Sequence, residues 1–105
     1  MKIIFNNEEL KVNFFYPRGK TRSRTECTVL AGAPFTKDEE KSVVGTSRIR
    51  RHSEDSPNLV VARTVALANA LNQAGYDFNE ALEIFKKLTL RYSPEYLSEV
   101  FARSA

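Results

Sequence analysis

Seven basic residues fall in two short windows: Arg18, Lys20, Arg22 and Arg24 in the first, Arg48, Arg50 and Arg51 in the second. Neither window holds an acid. Grouped arginines offer paired N–H donors to phosphate or carboxylate oxygens and raise the local concentration of anions. The rest of the chain holds nine basic and thirteen acidic residues, a balance of −4 against +3 for the whole. Lys11 and Phe15, just ahead of the first window, would add a charge and a flat ring for a base to stack on, the combination single-strand binders use. The same charges can instead serve only to guard sheet edges, with Glu26 and the run Asp38-Glu39-Glu40 partly neutralising them. Both readings fit the sequence.

Other chemistry is thin. The single histidine, His52, sits in His52-Ser53-Glu54-Asp55, where Asp55 or Ser56 reads as a helix cap. No second histidine or cysteine stands at metal-ligand spacing from it. Cys27 lies on the apolar parity of a strand and reads as a small buried hydrophobe. Asp77, Glu80 and Glu83 fit helix capping and an acidic first turn better than paired catalytic carboxylates. No glycine-rich phosphate loop, nucleophile elbow or HExxH motif is present. The expectation is a protein that is not an enzyme, needs no cofactor or metal, and works by binding.

The chain of 105 residues is expected to form a single domain, with a β-meander over 1–51 and a helical layer over 56–103. At 42% hydrophobic and 28% charged residues it is too apolar for a disordered chain. The longest apolar run, Leu59 to Ala62, cannot span a bilayer, so no membrane partner and a cytoplasmic location are expected.

Four strands would position the arginines. Lys2 to Phe5 is the first, followed by a turn at Asn6-Asn7-Glu8-Glu9. Leu10 to Tyr16 alternates, with Leu10, Val12, Phe14 and Tyr16 on one face and Lys11, Asn13 and Phe15 on the other. After the turn at Pro17-Arg18-Gly19-Lys20, a third strand over Arg22 to Ala31 puts Thr25, Cys27 and Val29 inward. Arg24, Glu26, Thr28 and Leu30 then point outward. A polar loop follows, pinned to the body by Phe35. The fourth strand runs from Ser42 to Arg51, with Val43, Ser47 and Ile49 inward and Arg48 and Arg50 outward. Gly45 marks a bulge or a close backbone approach.

The second half has helical periodicity. Ser56-Pro57 is a start signal, and Val60, Thr64, Leu67, Leu71 and Ala74 form an alanine-flanked stripe that suits close packing on a sheet. Gly75 stops this helix, and Asp77 with Glu80 forms a capping box for the next. That helix buries Phe78, Ala81, Leu82, Phe85, Leu88 and Tyr92. Ser93-Pro94 starts a third, with Tyr96, Leu97, Val100 and Phe101 as its stripe, which also offers a surface for oligomerisation. The fold class is α+β: a four-stranded antiparallel meander with two to three C-terminal helices packed on one face.

The segment from Gly45 to His52, then Asp55, then Val61-Ala62-Arg63-Thr64-Val65-Ala66-Leu67-Ala68-Asn69-Ala70-Leu71, with Thr25-Glu26-Cys27-Thr28-Val29 upstream, resembles a type of small protein common in phages and mobile elements. Those proteins have a T-x-C-x-[IV] strand, a G-x-[AS]-x-[RC] strand, an H-x-x-D loop and an A/G-R-x-x-A-L-x-x-A-L helix. Some of similar size are counter-defence factors, including anti-CRISPR proteins that inhibit a host nuclease stoichiometrically. The resemblance implies a partner that is a host defence protein or nucleoprotein, such as an RNA-guided nuclease. The basic balance speaks against mimicry of DNA. The alternatives are a module that binds RNA or DNA directly and a sponge for an anionic nucleotide.

Overall fold

The computed structural model describes residues 1–16, 24–50 and 59–103. Within them lie β1 (Lys2–Phe5), β2 (Glu8–Phe15), β3 (Arg24–Gly32), β4 (Ser42–Arg50), α1 (Leu59–Gln73), α2 (Phe78–Lys87) and α3 (Pro94–Arg103). A short 3₁₀ turn spans Asp38–Glu40. The strands form one antiparallel sheet in the order β1-β2-β3-β4, a meander, so the α+β class stands as expected. No helix among the described residues is long and apolar enough to cross a membrane.

The first hairpin is tighter than the sequence suggests. Asn6 and Asn7 both take positive φ, 50° and 63°, and Phe5 pairs directly with Glu8. Two successive left-handed residues match the right-handed twist of the flanking strands. Glu8 and Glu9 therefore belong to β2 rather than to the turn.

Alternation governs β2 and β3 as read. Leu10, Val12, Cys27, Val29 and Ala31 are buried on one face, with Thr25 among them. In β4 the parity changes. Val29 pairs with Gly45 but Leu30 pairs with Val43, which leaves Val44 as an extra residue. Val44 packs against the core, whereas Val43 is 59% exposed. Val43 does not face inward as expected, because the bulged residue takes its place and turns it outward.

The helices cover the inner face alone. α1 buries Ala62, Ala66 and Ala70 together with Leu67 and Leu71. These small side chains bring the helix close to β4, where Ser47 Oγ donates to the Ala66 carbonyl. Thr64 Oγ1 donates to Val60 O and accepts from Ser93 N, tying the start of α3 to α1. The capping box of α2 is complete: Glu80 N donates to Asp77 Oδ1 at 2.8 Å and Asp77 N to Glu80 Oε1 at 3.1 Å. α2 buries Ala81, Ile84 and Phe85, and α3 buries Leu97 and Val100. Tyr96 departs from its expected stripe and is exposed, whereas Leu97 and Val100 hold the buried side of α3. The Ser56-Pro57 start signal and the His52–Asp55 segment lie outside the described residues.

Candidate binding face

The face of the sheet opposite the helices gathers the sequence-expected residues that the structure describes. The strand register sets them in rows. Phe15 of β2 pairs with Glu26 of β3, which pairs with Arg48 of β4. Arg24 stands two residues along β3, opposite Arg50. Lys11 lies further along β2, between Lys2 and Leu30. Arg18, Lys20, Arg22 and Arg51 lie outside the described residues.

Charge at the first row is centred on Glu26. Its Oε1 meets Arg48 Nε at 3.2 Å and Arg24 Nη1 at 3.8 Å. Arg48 remains 73% exposed at its side chain while making this contact. Phe15, 60% exposed, stands on β2 directly opposite Glu26 in the register. The arginines were visible in the sequence. Glu26 was also legible there as a partial neutraliser, and the structure adds that it engages two of them at once.

The opposite end of the same face is built differently. Glu9 pairs with Ile4 and Gly32, so its carboxylate also points away from the helices. It accepts a hydrogen bond from Phe35 N at 3.0 Å and an ion pair from Lys41 Nζ at 3.2 Å. The Lys41 side chain is fully buried, and Nζ also donates to Thr36 O at 2.7 Å. To reach Glu9 the lysine stem lies over Gly32, where a Cβ would come within 3.0 Å of it. The Phe35 N–H and Lys41 hold the Glu9 carboxyl below the usual glutamate range, against the upward pull of burial.

This clasp corrects the expected role of Phe35. The ring does not pin the loop; it is 86% exposed, at φ 64°. What fastens the loop is the Phe35 backbone N–H, held by a carboxylate that sequence proximity does not reveal. Ile4 and Val43 are also exposed on this face, and Lys2, Ile3, Ile4, Glu9 and Phe35 line a shallow hollow of about 270 Å³. These apolar residues were not expected at the site. A second hollow, about 310 Å³, lies on the helical layer between Phe78, Ser98, Phe101 and Ala102.

Among the described residues, no three His, Cys, Asp or Glu side chains come together in a way that would hold a metal ion. Cys27 is buried among apolar neighbours, which pushes its thiol up to about 12. Compared with known proteins, the chain matches no family model, no curated protein and no solved structure.

Proposed function

We propose that the protein acts by stoichiometric binding of another protein through the helix-free face of its sheet. The observation that carries this reading is the composition of that face: exposed Phe15, Val43 and Ile4 share it with Arg24 and Arg48. Aromatic and arginine side chains are the types enriched at the energetic centres of protein interfaces. Exposed apolar side chains gain most when a partner covers them, and the arginines favour a partner whose surface carries carboxylates. The sequence resemblance supplies the class: a counter-defence inhibitor acting in the host cytoplasm on a nuclease or nucleoprotein.

A photo-crosslinking amino acid placed at Phe15 or Val43, and at Glu83 on the helical layer, tests the assignment in cells carrying an RNA-guided nuclease. Crosslinks to one protein from positions 15 and 43 alone are expected, followed by 1:1 binding of the purified pair in calorimetry. Phe15→Ala and Arg48→Ala should each weaken that binding at least about tenfold. Crosslinks from position 83 alone would overturn the face assignment.

A second reading, direct binding of single-stranded nucleic acid, draws on the neighbourhood of Phe15 and Arg48. Its signature is affinity that falls with salt at a log–log slope of about −0.7 per phosphate neutralised.

A further inference from the structure

We propose that Glu26 sets the specificity of this face: it disfavours nucleic acid and leaves the face to an apolar protein surface bearing isolated carboxylates. The proposal rests on the reading of the face as a protein-binding surface. Glu26 occupies the middle of the row Phe15–Glu26–Arg48, and one of its oxygens engages both Arg48 and Arg24. A nucleic-acid strand stacked on Phe15 would draw on these same guanidiniums. It would also bring a phosphate with every nucleotide past a carboxylate that is only partly shielded, with its side chain 24% exposed. A phosphate and a carboxylate repel one another at close range, which offsets part of what the strand gains from the ring and the guanidiniums.

A protein surface is in a different position. It gains chiefly by covering Phe15 and Val43, and one carboxylate can approach Arg48 from the solvent side, where that side chain is 73% exposed. Specificity is a difference of affinities, so a group that repels the wrong partner contributes as much as one that attracts the right one. Glu26 is that group. Its removal frees two guanidiniums at once and should convert the row into an anion-binding strip.

The probe is a short, fluorescently labelled uridine oligomer, titrated at low salt and followed by anisotropy. Four forms of the full chain are compared: wild type, Glu26→Gln, Glu83→Gln and the double variant Glu26→Gln/Arg48→Ala. Glu83→Gln removes the same charge from α2, on the other side of the sheet. Wild type and Glu83→Gln are expected to bind weakly and alike. Glu26→Gln is expected to bind about tenfold tighter, with a salt slope steeper by about 0.7 to 1.4, corresponding to one or two further phosphates. Loss of Arg48 in that background should cancel the gain. Glu26→Ala, which also releases both arginines, gives an independent check should the glutamine variant fold poorly. If both Glu26 variants bind the oligomer no better than Glu83→Gln, the specificity role is wrong and the protein-binding reading is untouched. Tight, steeply salt-dependent binding by the wild type would instead overturn the protein-binding reading itself.

Discussion

Gly45 and Ala70 meet backbone to backbone: a Cβ built on Gly45 would stand 1.9 Å from the Ala70 carbonyl oxygen. No side-chain rotation relieves such a contact, so β4 or α1 must move to accept any side chain there. Gly45→Ala is therefore expected to destabilise the protein by about 3 kcal/mol, the upper range for overpacking. Urea unfolding followed by circular dichroism measures it. A loss no larger than that of an exposed substitution would show that helix and strand are not held at this distance.

One turn earlier on α1, Ser47 Oγ donates to Ala66 O. Ser47→Ala removes this bond without adding bulk, and should cost about 1 kcal/mol. Combined with a glycine at position 66 it should cost more, since the helix then also loses a good former. The same unfolding assay reads both.

The Glu9 clasp predicts a pH dependence. Its carboxyl is lowered in the folded protein, so the unfolded chain binds the proton first as pH falls. The stabilisation is complete above the ordinary glutamate value of 4.5 and is lost as pH drops through the lowered folded value. In nuclear magnetic resonance, the Phe35 amide signal should shift across this acid range as its acceptor is protonated. Glu9→Gln should remove that titration and flatten the acid limb of the stability profile. An unchanged acid limb would mean that another carboxylate controls it.

The α2 capping box joins Asp77 and Glu80 reciprocally. Asp77→Ala should cost about 1 kcal/mol, and Asp77→Asn much less because an amide oxygen still accepts from Glu80 N. Equal losses for the two would point to charge rather than hydrogen bonding as the stabilising factor.

Cys27 should be inert in the folded state. Burial keeps its thiol protonated at neutral pH, and the thiolate is the species that reacts. A disulfide reagent such as Ellman's should therefore label it only at the rate of opening, and quickly once urea is added. Rapid labelling of the native protein would place the inner face of β3 in contact with solvent.

Legibility differed by element, for physical reasons. β2 and β3 are flanked by strands on both sides and covered on one face, so a period of two marks Leu10, Val12, Cys27 and Val29 cleanly. The same alternation placed Lys11, Phe15, Arg24 and Arg48 on the helix-free side. β4 was harder, because Val43 and Val44 are equally apolar and no contrast shows which one is the extra residue. Phe35 looked like core by residue type, whereas its left-handed backbone turns the ring away from the body. Glu9 and Lys41 are joined by the fold alone, and neither residue type nor spacing suggests a carboxylate and an ammonium sealed over a glycine.

The extra residue in β4 also acts as a reading frame for the strand. Count back from Gly45 in strict twos and both Val43 and Lys41 would turn to the helix-covered face of the sheet. Inserting Val44 shifts the phase once, so that Lys41 crosses Gly32 and reaches Glu9. The fastening of a loop at one end of the sheet is thus decided by a single step of phase in a neighbouring strand. A one-residue insertion or deletion there would redraw the outward surface of this protein while leaving its core composition almost the same.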